Sequence, residues 1–330
     1  MVDLSTKYLG FDLKNPIIVG SCGLTDSAQR IKELEKNGAA AVVVKSLFEE
    51  EIIKEMEEAQ RQMQSGAHIY PEIFDMFSLE DVEDSVTKYL NTISEAKKIC
   101  SIPIIASINC VSADEWTSFA KRIEEAGADA LELNLFILPS DFNRSGEDNE
   151  NVYFDVINKV KKEITIPLSL KISYYFSNLG AMIQRLSKTG IGALVLFNRF
   201  YSPDFDIDSL KVVPTSIYST PSELPISLRW ISIMANRVDC DLAASTGVHD
   251  GKAAIKQILA GADAVQIASC LYKYGPEYIG NILKEMQEWM EDNAFTSLPE
   301  FKGKMSQAKS SNPAAFERVQ FMKHFSSKHI

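Results

Sequence analysis

The chain has no run of about 18 apolar residues, so no segment reads as a membrane-spanning helix. Its first fifteen residues, MVDLSTKYLGFDLKN, lack the hydrophobic core of a signal peptide. Positive charge is in deficit. Lys and Arg number 34 against 45 Asp and Glu, a net charge of −11, which argues against nucleic acid or an anionic membrane as the main partner. There are only four His, two of them in the last seven positions, and no CxxC or HExxH spacing, so no metal site is expected. Five cysteines without a pairing pattern suggest reduced thiols and a cytoplasmic location. No Gly-x-Gly-x-x-Gly turn follows the first apolar strand, which counts against a doubly wound dinucleotide fold.

What is present is a phrase repeated four times: Gly, two small residues, Ala, then apolar alternation. It reads Gly38-Ala-Ala-Ala-Val-Val-Val44, Gly127-Ala-Asp-Ala-Leu-Glu-Leu133, Gly190-Ile-Gly-Ala-Leu-Val-Leu196 and Gly261-Ala-Asp-Ala-Val-Gln-Ile267. Each copy follows an amphipathic stretch, and so reads as a helix stopped by Gly, a tight turn and a buried strand. Apolar strands are expected at 16–20, 40–45, 102–107, 129–134, 167–172, 193–198, 239–244 and 264–268. Helical patterns separate them at 26–37, 80–99, 113–125, 150–163, 178–189, 225–236, 250–260 and 275–291. Eight strands alternating with eight helices predict an α/β fold, a (β/α)8 barrel. An N-terminal hairpin at 3–14 precedes the barrel, which runs to residue 291. A helical extension, 292–330, carries an amphipathic piece at 313–322.

In such barrels the chemistry sits at the C-terminal ends of the strands. Lys45, Asn134 and Asn198 stand there, and long connections at 46–79, 135–149 and 199–224 lie on the same rim. After the last two strands come Ala244-Ser-Thr-Gly247 and Gln266-Ile-Ala-Ser269. Small residues there let backbone N–H groups approach a phosphate, and a following helix N-terminus adds a positive dipole. Two ordinary tight turns would read the same way.

These motifs, with Asn15-Pro-Ile-Ile-Val-Gly-Ser-Cys-Gly23, Val44-Lys-Ser46, Glu132-Leu-Asn134 and Leu168-Ser-Leu-Lys171, resemble the dihydroorotate dehydrogenases, flavin-mononucleotide (FMN) barrels of pyrimidine synthesis. The resemblance covers about residues 4–290 and is nearest the soluble class. It implies an FMN-dependent oxidoreductase acting on a CH–CH bond, of dihydroorotate or of a related conjugated acid. Ser21, Cys22 and Gly23 would lie against the flavin, with Lys45 and Ser46 reaching the ring and the substrate edge. Asn109, Asn134 and Asn198 would contact flavin or substrate, and Lys171 would sit by the ring's N1–C2 region. Ser245, Thr246, Gly247, Ala268 and Ser269 would hold the phosphate. Soluble members act as dimers, some with an electron-transfer partner subunit.

The pattern breaks at the base. The family's Cys or Ser, three residues after Asn134, is here Ile137, which takes no proton. Cys110 and Ser140 are the substitute candidates, followed by His68, Tyr174 and Tyr175. Arg199 suggests an anionic substrate, although a rim Arg also pairs with surface carboxylates. Two other functions stay open: a flavin-binding homologue that does not turn over, and a flavin-free phosphate-sugar enzyme using Lys171 as a Schiff base.

Overall fold

The computed structural model describes residues 2–48, 84–109, 116–199 and 202–317. Strands β1 (Thr6–Tyr8) and β2 (Phe11–Leu13) form the expected antiparallel hairpin. Then come β3 (Ile17–Val19), α1 (Ala28–Lys36), β4 (Ala41–Val43), the short β5 (Leu47–Phe48) and α2 (Ser85–Ile99). They are followed by β6 (Ile104–Asn109), α3 (Trp116–Glu125), β7 (Ala130–Asn134), α4 (Gly146–Glu163), β8 (Leu168–Ile172), α5 (Leu179–Ser187) and β9 (Ala193–Leu196). The last part holds β10 (Pro203–Asp206), β11 (Lys211–Pro214), α6 (Leu224–Met234), β12 (Asp241–Ser245), α7 (Gly251–Ala260), β13 (Ala264–Ile267), α8 (Ser269–Tyr274) and α9 (Tyr278–Asp292).

Eight of these strands close a parallel barrel in the order β3, β4, β6, β7, β8, β9, β12, β13 and back to β3. They coincide with the eight expected apolar segments to within two residues at either end. Helix α4 starts four residues earlier than its apolar period suggests, because Ser145 and Asp148 cap it reciprocally. Besides the short β5, two features were not anticipated. The connection after β9 folds into the antiparallel hairpin β10–β11, and the short α8 follows β13 directly.

The repeated phrase now has a physical reading. Its glycines, Gly38, Gly127, Gly190 and Gly261, take φ of 111°, 94°, 76° and 120°, the left-handed turn that ends each helix. Its fourth residues, Ala41, Ala130, Ala193 and Ala264, lie inside the barrel in one buried cluster with Tyr8, Leu9 and Leu13. Small side chains on the strands make room for the hairpin, which plugs the N-terminal mouth. Leu9 N–H donates to Asp241 Oδ2 at 2.8 Å and Thr6 Oγ1 to the Asp263 carbonyl at 2.9 Å, tying the plug to the starts of β12 and β13. The C-terminal mouth is left to carry chemistry. A second, larger cluster fills the layer between strands and helices.

After α9 the chain returns beneath α7, with Gly303 N–H bonded to the Ile258 carbonyl and Met305 N–H to that of Leu259. This part carries 3-10 turns at Leu298–Glu300, Gln307–Lys309 and Pro313–Phe316, and residues 318–330, which include the second half of the expected amphipathic piece at 313–322, lie outside the described residues. No helix among the described residues is long and apolar enough to cross a membrane.

Candidate functional site

Strand register sets a row of polar groups at the open mouth. Asn109 pairs with Asn134, and Asn134 with Lys171, across β6, β7 and β8. Asn198, just past β9, donates from Nδ2 to Asn134 Oδ1 at 2.7 Å. Lys171 is buried and donates from Nζ to Gln266 Oε1 at 2.9 Å. Gln266 Nε2 then donates to Glu132 Oε2 at 2.6 Å. Glu132 is 1% exposed, and its other oxygen, Oε1, has no hydrogen-bond partner among the described residues. Burial pushes the Glu132 carboxyl up, while the Lys171 ammonium and the Gln266 amide pull it back.

Beside this row opens a cleft of about 370 Å³. Of the residues singled out from sequence, it gathers Ser21, Cys22, Lys171, Asn198, Arg199, Ser245, Thr246, Gly247, Ala268 and Ser269. Tyr218 and Tyr272 also line it, their rings 5.0 Å apart and tilted by 35°. Gly23 lies behind Tyr272, whose hydroxyl would be 2.8 Å from a Cβ there. Burial raises the Cys22 thiol, against the pull of nearby hydrogen bonds and Lys171, and lifts the Tyr272 hydroxyl to about 12.

One corner of the cleft suits an anion. Thr246 and Gly247 take consecutive positive φ, 74° and 80°, and a Cβ on Gly247 would come within 2.3 Å of Leu224 N. Only glycine lets the α6 backbone approach this closely. Ser219, which sequence reasoning missed, reaches the same corner. Its hydroxyl accepts from Gly247 N–H at 3.4 Å and lies 3.1 Å from His249 Nε2, and its own N–H donates to Ser269 Oγ at 3.0 Å. A serine oxygen thus meets the donors that a phosphate oxygen would use. Burial lowers the His249 imidazole, which favours the neutral ring. The helix dipole expected here is already answered: Asp250 caps α7 through Ala253 N–H, and Glu285 accepts from Gly251 N–H. The corner therefore rests on loop N–H groups and hydroxyls rather than on the α7 terminus. The absence of side chains at Gly247 and Ala268's small methyl fit a phosphate group.

Arg199 lines the cleft, but its guanidinium holds its own loop. It donates to Glu223 Oε1 at 2.9 Å, the Ile217 carbonyl at 2.7 Å and the Ser216 carbonyl at 2.8 Å. That clamp carries Ser219 to the corner.

The structure does not bring Lys45 into the main cleft. Five residues, 43 to 47, face four of β6, 105 to 108, so the chain bulges between β4 and β5. The bulge turns Ser46 inward, where its Oγ lies 2.9 Å from Ser21 Oγ and 2.7 Å from Ser107 Oγ. Lys45 is exposed in an adjoining cleft with Asp26, Lys88 and Tyr89; its backbone N–H donates to the Thr25 carbonyl at 3.2 Å, while its side chain has no hydrogen bond or ion pair among the described residues. Ile137 is half-buried, and its N–H donates to Tyr153 OH at 3.3 Å. Ser140 is exposed and does not line the cleft. Tyr174 and Tyr175 sit on the rim, Tyr174 edge-on to Phe197 at 5.6 Å. Cys110 and His68 lie outside the described residues. The sequence did hold a signal for Glu132, a lone acid in an apolar strand in phase with Ala130 and Asn134. No local signal marked Ser219.

Comparison with known proteins bears on this arrangement. The family model for dihydroorotate dehydrogenase matches residues 3–290. A protein of Thermoplasma volcanium named dihydroorotate dehydrogenase B (NAD(+)), catalytic subunit, is 29% identical over 307 residues, covering 92% of this chain and 98% of that one. Its namesake from Thermoplasma acidophilum is 28% identical over 308 residues, covering 92% and 99%. A putative dihydroorotate dehydrogenase A (fumarate) of Aeropyrum pernix is 26% identical over 311 residues, covering 91% and 97%.

Proposed function

Because the chain belongs to the dihydroorotate dehydrogenase family, we propose that it binds FMN and oxidises dihydroorotate to orotate, a CH–CH dehydrogenation of pyrimidine biosynthesis. The observation that carries this reading is one buried ammonium, Lys171, in strand register with Asn134, beside a corner that only a glycine at 247 permits. FMN bound there supplies hydride acceptance. Thr246, Gly247, Ala268 and Ser269 hold its phosphate, and Ser21, Cys22 and Gly23 bear on the ring. Lys171 stabilises negative charge at the ring edge. Asn134 and Asn198, already bonded to each other, orient the substrate's amide and carboxylate groups. Lys45, which the bulge leaves in the adjoining cleft, reaches the substrate edge only by swinging its long stem over the mouth. Arg199 acts on substrate only indirectly, through the loop it clamps.

A base must take the proton next to the departing hydride. Ile137 has none to exchange, and Ser140 is exposed away from the cleft. Cys110, the residue after Asn109 in the chain, and Ser140 are the two candidates for the role. Replacing the true base by Ala lowers the rate by about 10²–10⁴, so Cys110→Ala and Ser140→Ala compared side by side identify it.

Electrons then leave to a second protein. The Thermoplasma relatives are named as catalytic subunits with NAD(+), which supports an electron-transfer partner for a homodimer of this chain. The four cysteines among the described residues, Cys22, Cys100, Cys240 and Cys270, are free thiols, which suits a reducing cytoplasm.

Anaerobic addition of dihydroorotate tests the reading: the visible flavin band is expected to bleach. A colourless purified protein sinks the cofactor assignment, and bound flavin that fails to bleach sinks the substrate. Ile137 favours a second reading, a flavin protein that does not turn over. Reoxidation that depends on substrate and outpaces free flavin removes it. A Schiff-base role for Lys171 is disfavoured, since its nitrogen already donates toward a buried carboxyl through Gln266.

A further inference from the structure

Glu132 is the feature that the proposed chemistry leaves unexplained. A carboxyl in a barrel interior costs several kcal/mol unless its charge is answered. It sits on β7 one layer below Asn134 and touches neither cleft nor solvent. Its hydrogen bond leads in one direction only, through the Gln266 amide to Lys171 Nζ. The amide orientation follows from the chemistry. The ammonium has only donors, so it must meet Gln266 Oε1, and the amide nitrogen is then left to donate to Glu132. A carboxylate, which only accepts, is the matching end for that chain. Lys171 is buried too, and among the described buried residues Glu132 is the acid whose charge reaches it through one side chain.

We infer that Glu132 is a positioning residue: acting through Gln266, it forms a one-amide-spaced ion pair with Lys171 that fixes the ammonium at the mouth and partly offsets its charge on the bound flavin. The inference rests on the FMN reading above. Two of the three Lys171 donors stay free for the ring, while the third is held from below. The carboxylate therefore sets how strongly the flavin favours an added negative charge. The neutral Gln266 between them keeps the proton from passing directly from lysine to carboxylate.

The test uses sulfite, which adds to flavin N5 and leaves negative charge on the ring, so its Kd reads the local field without substrate turnover. In FMN-loaded Glu132→Gln the amide keeps its size and can still accept from Gln266, but the opposing charge is gone. The sulfite Kd is expected to fall about ten-fold, with a matching rise in flavin midpoint potential. A Kd within about two-fold of the parent overturns the link to the ring.

A second measurement needs no flavin. Lys171→Gln leaves Glu132 buried without its counter-charge and is expected to lower Tm. The double variant Lys171→Gln with Glu132→Gln is expected to recover about 3 °C or more of that loss. A double variant no more stable than Lys171→Gln alone overturns the pairing. If the purified chain carries no flavin, the FMN reading fails and takes the sulfite arm with it, while the Tm recovery still decides whether Glu132 and Lys171 are coupled.

Discussion

Replacing Gly247 by Ala is the sharpest perturbation of the anion corner. The added methyl would stand 2.3 Å from Leu224 N, 2.7 Å from Leu224 Cα and 2.8 Å from the Glu223 carbonyl carbon. All three are backbone atoms at the start of α6, so no side chain can swing aside. The position also sits at φ +80°, which costs a residue with a Cβ about 1–2 kcal/mol. Overpacking adds about 1–3 kcal/mol. The sum, about 2–5 kcal/mol, is relieved only if Glu223 and Leu224 retreat. Their retreat loosens the Arg199–Glu223 ion pair and withdraws Ser219 from Gly247 and Ser269. Gly23→Ala is the control, because its clash is with the hydroxyl end of Tyr272, a side chain able to move. We expect Gly247→Ala to unfold at lower temperature and to bind FMN at least about 30-fold more weakly, by fluorescence-quenching titration. Gly23→Ala is expected to stay within about 10-fold of the parent. A Gly247→Ala protein with parental Tm and FMN affinity would refute both the close approach and the phosphate assignment.

Other outcomes follow from the same geometry. Arg199→Ala removes three bonds that hold 216–223, and is expected to speed limited proteolysis between residues 202 and 220 without lowering Tm by more than a few degrees, since the ion pair is partly exposed. Equal digestion of parent and variant would count against the clamp. Burial pushes the Glu35 carboxyl up, but the Lys32 ammonium and the Ser101 hydroxyl and N–H outweigh it and hold the group at about 2. Its folded value lies below the ordinary carboxyl value of 4.5, so its stabilisation is present above pH 4.5 and is lost as pH falls toward 2. Glu35→Gln is expected to flatten the urea midpoint across that window, and an unchanged acid slope would contradict it. The Tyr8 hydroxyl is buried with no hydrogen-bond partner among the described residues, so Tyr8→Phe is expected to leave Tm equal or higher, whereas Tyr8→Ala empties the barrel plug and costs about 3–5 kcal/mol. A loss above about 2 kcal/mol in Tyr8→Phe would mean that the hydroxyl has a partner, such as an internal water.

Much of the fold was legible along the chain because its determinants are local. Gly127-Ala-Asp-Ala130 reports a left-handed turn at one end and a small interior residue at the other, and both needs are met within four positions. The two small-residue turns that line the cleft were equally readable, since the smallness of Gly247 and Ala268 is visible in the sequence itself. Lys45 was not. Its side-chain direction depends on a bulge between β4 and β5 that strand alternation does not disclose. Arg199 looked like a substrate cation because its carboxylate, Glu223, lies 24 positions away across an irregular loop. The α7 terminus promised a dipole for phosphate, but Glu285 on a later helix reaches it first.

The order of strands and helices, the N-terminal hairpin and the polar row at the strand ends were thus legible in the sequence, through periods, glycine stops and residue size, whereas the seating of that hairpin in the N-terminal mouth was not. What tertiary structure decided is who meets whom across the closed barrel. Lys171 and Gln266 are 95 positions apart, and Gln266 and Glu132 are 134 apart. Those bonds exist only once β13 closes on β3 and a single register lifts all three side chains into adjoining layers. Hydrogen bonds act over about 3 Å, and no pattern within one strand encodes a distance across the barrel.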